Sequence, residues 1–229
     1  MKNLLIFAPH PDDEAIACGG LISKAFRNGW TIHVVVCGIG DCRQLVTGNT
    51  EPTGRLKELS DAANLGGYST EVLFVGQEFM RLDTLPRKVL CDMFEDVIEK
   101  FRPDIVVIPP ASSYDQDHRA VAQAAMTALR PRPATLRFVV RTVLEADEPY
   151  YWRVSGERPT PNMFLSLTLE DLETKRRLVL KHASQNRPDP FGRSLENLER
   201  MAFTYGCEIG GGAAEAYRIL KTDGQSIGI

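Results

Sequence analysis

The chain has little that would tie it to nucleic acid, a membrane or an oxidising compartment. Its 229 residues carry a formal net charge of −3 and no run of lysine and arginine, which gives no electrostatic case for nucleic acid, and no nucleic-acid partner is expected. No apolar stretch approaches the length needed to span a bilayer. Between Lys2 and His10 the only apolar run is Leu4–Ala8, too short for the core of a signal peptide. The five cysteines (Cys18, Cys37, Cys42, Cys91 and Cys207) are odd in number and lack paired spacing. That argues against a disulfide framework and for a reducing, cytoplasmic setting. Cys37 and Cys42 are read as strand-end and loop thiols rather than metal ligands, because no C-x-x-C pair is present. Internal repeats and low-complexity tracts are absent, and histidine is scarce: His10, His33, His118 and His182.

What remains is an ordinary globular composition, 43% hydrophobic and 25% charged, long enough for one sizeable domain or a domain with an appended lobe. Residues 3–7 form a continuous apolar run, the mark of a strand buried on both faces. Further strands are expected at 31–37, 71–75, 105–108 and 138–143, and helices at 13–28, 53–65, from about 86 to 98, and 118–129. Thr53 is expected to cap the second helix and Gly66-Gly67 to end it. This alternation predicts an α/β fold: a Rossmann-like, open, mostly parallel sheet with helices on both faces. The pattern changes near residue 145, where a short strand (163–167) and two helices (169–182, 195–205) follow. Residues 1–145 are read as the metal-binding core, and 146–229 as a small C-terminal lobe completing the same domain and the pocket rim.

Open α/β sheets bind ligands at the carboxyl ends of their strands. Two acidic, histidine-bearing segments fall at such ends: His10-Pro11-Asp12-Asp13-Glu14 after the first strand, and Tyr114-Asp115-Gln116-Asp117-His118 after the run at 105–108. If those strands are neighbours, the segments face each other. His10, Asp13 and His118 then supply two imidazoles and a carboxylate, a set that suits Zn2+ with a position left for water; Fe2+ suits the same set. Asp12 lies close enough to take a proton from that water, and Asp117 is placed to orient a ring N–H. Bland readings compete with each of these: Asp117 as an ordinary cap, Arg55 with Glu58 as a surface ion pair, His182 as a partner of a helix dipole, Glu215 as a solvated charge.

These residues resemble the PIG-L/LmbE-like family of zinc-dependent N-deacetylases. Its A-H-P-D-D-E-like signature is matched by Ala8 to Glu14, with Pro9 inserted before His10, and its H-x-D-H-R-A motif by Asp115 to Ala120. Weaker similarity covers Arg55 with Glu58, Lys175 with His182 to Gln185, and Ala214 to Tyr217. The resemblance implies removal of an N-acetyl group from a glucosamine-type sugar or conjugate. It also implies zinc on His10, Asp13 and His118, Asp12 as general base, Asp117 behind the ligands, and Arg55 at the substrate. Glu14 and Tyr114, which flank the motifs, are expected beside the substrate as well. The size and the resemblance point to a homo-oligomer with a small-molecule substrate.

One position departs from the family pattern. Asp115 stands where the second motif has a histidine, and an ionised carboxylate repels a developing oxyanion. Asp115 is either protonated by burial or relieved by His182 acting as the acid, or the enzyme is slow or altered; His182 is the favoured reading. Two alternatives are kept. One is another C–N hydrolase, acting on a thiol conjugate or antibiotic precursor. The other is a catalytically silent metal-cleft binding protein. Tyr150, Tyr151 and Trp152 are read as a rim for a flat group or as lobe packing.

Overall fold

The computed structural model describes residues 2–44, 48–76, 79–148 and 160–223; Tyr150, Tyr151 and Trp152 lie outside them. In chain order the elements are β1 (Asn3–Ala8), α1 (Asp13–Arg27), β2 (Thr31–Ile39), β3 (Cys42–Gln44), β4 (Gly48–Thr50), α2 (Pro52–Gly66), β5 (Ser69–Val75), α3 (Arg87–Phe101), β6 (Ile105–Ile108), α4 (Gln116–Ala128), β7 (Thr142–Ala146), β8 (Met163–Leu167), α5 (Leu169–Lys181), α6 (Leu195–Cys207) and β9 (Ala213–Lys221). The main sheet runs β5-β2-β1-β6-β7-β9-β8. Strands β5, β2, β1, β6 and β7 are parallel; β9 is antiparallel to both β7 and β8. The α/β sheet expected from the alternation is therefore present, and β8 and β9 extend it rather than form a separate sheet.

Side-chain alternation in β1 divides the core. Leu4, Ile6 and Ala8 enter the cluster on the α1, α5 and α6 side, while Leu5 and Phe7 enter the one on the α3 and α4 side, where Phe7 packs 4.2 Å from Phe94 between ring centroids. Both β2 and β6 pair with β1, so the chain leaves β1 toward one edge and returns on its other side. The crevice at this reversal opens at the carboxyl ends of β1 and β6, and both motifs enter it.

Three local expectations change. The strand expected at 138–143 begins at Thr142, where pairing with Ile105 starts. Phe138 instead gives its N–H to Glu99 on α3. Helix α2 starts at Pro52 with Glu51 as its N-cap, so Thr53 lies inside the first turn and does not cap it. Strand β9 was not expected; its Ala-Ala-Glu-Ala start is poor in strand formers, but these residues are buried between β7 and β8.

Helix α1 is spliced by side chains from the C-terminal third. The N–H groups of Gly20 and Leu21 are given to Glu215, at 2.7 and 2.8 Å. The carbonyls they would meet in an unbroken helix, of Ile16 and Ala17, receive Lys175 Nζ at 2.7 Å and the Tyr217 hydroxyl at 3.3 Å. Lys175 and Glu215 are themselves paired at 2.5 Å. Gly20 is required here: a Cβ would fall 2.5 Å from Leu167 and 3.0 Å from Glu215. Glu215 is thus a buried acceptor bonded to the helix that carries the first motif, not a solvated charge. Among the described residues no helix is long and apolar enough to cross a membrane.

Candidate metal centre

The first motif turns sharply between β1 and α1. Asp12, the N-cap of α1, adopts φ 111°, a left-handed conformation that costs a non-glycine residue about 1–3 kcal/mol. Interlocked bonds hold it there. Asp12 N–H donates to Glu14 Oε2 at 3.0 Å, His10 N–H to Asp13 Oδ2 at 2.9 Å, and Gly38 N–H to the Pro9 carbonyl at 2.9 Å. The Asp12 carboxylate makes no capping bond to the helix; it forms an ion pair with Arg193.

The second motif opens α4. Asp115 is its N-cap and accepts from the N–H groups of Asp117 (2.8 Å) and His118 (3.4 Å). That cap fixes the first turn so that His118 faces His10, with ring centroids 5.5 Å apart. His10, Asp115 and His118 each offer a ligand atom within 4.8 Å of the others. Asp13, the carboxylate expected in that set, is also close: its Oδ2 lies 3.2 Å from His118 Nε2 and 3.7 Å from His10 Nδ1. The two motifs therefore meet, and two carboxylates face the space between the imidazoles.

Each imidazole has its far nitrogen engaged. His10 Nε2 lies 3.0 Å from Asp117 Oδ2, and Asp117 Oδ1 is fixed by the Leu82 N–H at 2.9 Å. His118 Nδ1 is bonded to Glu148. Asp117 thus orients His10, across the crevice, not the adjacent His118. Glu148 was missed in the sequence. It stands two residues past the end of β7, the neighbour of β6, so the strand-end rule that found the motifs reaches it too.

The charge balance favours a cation. Burial by itself lowers the pKa of His118, but Asp13 and Glu148 outweigh it and hold the imidazole well above its ordinary range. Burial pushes the Asp13 carboxyl up, yet His118 and then His10 pull it below the usual carboxylate range. Asp12 goes the other way: burial raises its pKa, and Arg193 only partly offsets this.

The remaining expected site residues are placed around this core. Arg55 is 2% exposed; Nη2 donates to the Pro11 carbonyl at 3.1 Å, while Nε and Nη1 meet no partner among the described residues. Its supposed ion-pair partner Glu58 instead accepts from Ser184 N–H and Oγ, both at 2.7 Å. Tyr114 is 42% exposed at the rim. Glu14, expected beside substrate, is 0% exposed and its carboxylate is taken by Tyr68 (2.9 Å), His182 (2.8 Å) and the Asp12 N–H. His182, expected as the acid, is also 0% exposed; its Nε2 reaches Glu14 and not the crevice surface. Glu14 thus holds the Asp12 main chain, and His182 holds Glu14.

Known proteins are similar to this chain in sequence and in fold. The sequence model of the family described as GlcNAc-PI de-N-acetylase (PIG-L) matches residues 5–129. A diacetylchitobiose deacetylase of Thermococcus kodakarensis is 28% identical over an alignment covering 96% of this chain and 84% of that protein. A probable N-acetyl-alpha-D-glucosaminyl L-malate deacetylase 2 of Bacillus cereus is 28% identical, covering 62% of this chain and 67% of its own length. Among solved structures, the 4-carboxy-2-hydroxymuconate hydratase GalB of Pseudomonas putida KT2440 superposes with a TM-score of 0.76 at 22% identity, covering 96% of each chain. That last likeness is one of fold.

Proposed function

The chain belongs to the PIG-L family of de-N-acetylases, and from that premise we propose that it hydrolyses the acetamide of an N-acetylglucosamine-type sugar or sugar conjugate, using one divalent metal, zinc, held between His10 and His118. The observation that carries this reading is the pair of imidazoles. Each has one nitrogen engaged by a buried carboxylate and lies close enough to the other to share an ion, with Asp13 and Asp115 beside them. The donor set of imidazole nitrogens and carboxylate oxygens fits zinc, and fits ferrous iron as well. A divalent cation there supplies Lewis acidity toward the amide carbonyl and acidifies water.

The protein's own groups do the rest. Asp12, buried and next to the ligand pair, accepts a proton from the attacking water. The water oxygen bonds to the carbonyl carbon, the C=O electron pair moves to oxygen, and a tetrahedral oxyanion forms. The C–N bond then breaks with a proton delivered to nitrogen, giving a primary amine and acetic acid, which ionises to acetate. Asp117 and Glu148 hold the two imidazoles in the tautomer and orientation that present a bare nitrogen to a cation. Tyr114, exposed at the rim, borders the space in which a sugar would lie.

Two measurements test this. Purified, zinc-loaded protein is incubated with a panel of N-acetylated sugars, chitobiose derivatives, nucleotide sugars and glycosides, and free amine is quantified. Release that stops on chelation and returns with zinc is expected; no amine from any member, at full metal content, contradicts the reading. Separately, Glu148→Gln and Asp117→Asn are each expected to weaken zinc affinity about 10–100-fold, the usual cost of losing such an orienting partner. Competition titration with a chromophoric chelator measures it, and unchanged affinity in both variants removes their assigned role.

A further inference from the structure

We propose that Arg193 is the oxyanion donor of this enzyme, carried in on the segment before α6, and that it supplies what Asp115 cannot. The proposal rests on the amide-hydrolysis reading above. A carboxylate at position 115 has no proton to offer a developing oxyanion when ionised, and here its Oδ1 is held by the N–H groups it caps at the start of α4. His182 is enclosed behind Glu14. Of the two guanidiniums acting on Asp12, Arg55 is sealed at 2% exposure and tied to Pro11, whereas the Arg193 side chain is 26% exposed.

Arg193 also lies over the right place. Its Nη2 pairs with the carboxylate of Asp12, while the rest of the guanidinium stays partly exposed beside the first motif. It therefore stands directly beside the base, where the attacked carbonyl must also lie. The segment that carries it is firmly built. Arg200 holds Asp189 through Nη1 and Nη2, at 2.7 and 3.1 Å; Asn197 Nδ2 holds the Gly192 carbonyl at 2.7 Å; Ser194 caps α6. A donor on such a support is positioned before the reaction begins, the condition under which electrostatic stabilisation is strongest.

The proton balance is consistent. Arginine stays protonated at any working pH, so Arg193 stabilises the oxyanion by charge and hydrogen bonds and gives up no proton. The proton that Asp12 takes from water is the one it returns to the amide nitrogen as the C–N bond breaks. One carboxylate thus serves as base and then acid, and no histidine is required for either step.

The test uses methylphosphonate, a tetrahedral anion the size of a hydrated acetyl group, with the zinc-loaded protein in a calorimeter. Arg193→Gln is expected to weaken methylphosphonate binding about 10–100-fold, the range of a lost charge-assisted hydrogen bond, with zinc content and glucosamine affinity unchanged. Arg193→Lys, which keeps the charge, is expected to fall between and also covers the case in which the glutamine variant fails to fold. On a turned-over substrate, Arg193→Gln is expected to lower kcat by about 10²–10³-fold with little change in KM. Methylphosphonate affinity unaltered in Arg193→Gln overturns the proposal. If the wild type releases no amine from any sugar, the deacetylase reading fails, and the phosphonate titration still decides whether Arg193 binds a tetrahedral anion there.

Discussion

Replacing Asp12 by asparagine is expected to lower kcat on an N-acetylated sugar by about 10²–10⁴-fold, the span of a lost general base, while leaving zinc content intact. The substitution isolates the chemistry because of where the residue sits. Its φ of 111° is unfavourable for most side chains, but asparagine enters the left-handed region more readily than most. The turn is held through the Asp12 backbone N–H and through Glu14, neither of which changes. The side chain does not cap α1, so no helix capping bond is lost. What disappears is the carboxylate that burial keeps readier to accept a proton than a solvated one. Amine release under saturating substrate, with metal content measured on the same sample, gives the answer. A variant retaining more than a tenth of the wild-type kcat would mean that another group takes the proton.

The largest stability loss is expected from Glu215→Ala. The mutation removes the acceptor for two main-chain N–H groups inside α1 and leaves the Lys175 ammonium, 2.5 Å from Glu215 in the native protein, without its counter-ion. Breaking a buried pair by deleting one partner costs about 3–5 kcal/mol, against a total stability of about 5–15 kcal/mol for an ordinary domain. Urea unfolding should show a midpoint far below that of the wild type, or no folded baseline. Glu215→Gln keeps an oxygen for one N–H and should lose less. A loss under about 1 kcal/mol in the alanine variant would show that α1 closes its own hydrogen-bond ladder without help. The cost bears on function, because α1 begins at the strained turn that presents His10, Asp12 and Asp13.

How much of this could be read in the chain beforehand differs by level. The centre of the parallel sheet was legible because its strands are short apolar runs buried on both faces, as in Leu4–Ala8 and Ile105–Ile108. Strand β9 was not, because alanine and glutamate at its start carry no strand preference and only pairing with β7 and β8 places them there. The meeting of His10 with His118 followed from two strand ends and their adjacency. Spacing along the chain could not tell which carboxylate would back which imidazole. Asp117 is next to His118 in sequence, yet the helical turn aims it across at His10 and leaves His118 to Glu148, 30 residues on. Glu14 and His182 fell inside matching segments, but a motif does not report which of its side chains face inward. Arg193 has no local signature; only the path of the segment between α5 and α6 delivers it to Asp12.

The central claim is that two stretches of chain more than a hundred residues apart grip one cation. Metal analysis of the wild type and of His10→Ala and His118→Ala, combined with X-ray absorption of the wild-type metal, tests it directly. The account predicts one divalent ion per chain, with two imidazole nitrogens in its coordination shell, and loss of that ion in each single variant. Full metal content in either variant, or a spectrum lacking imidazole scattering, would contradict it.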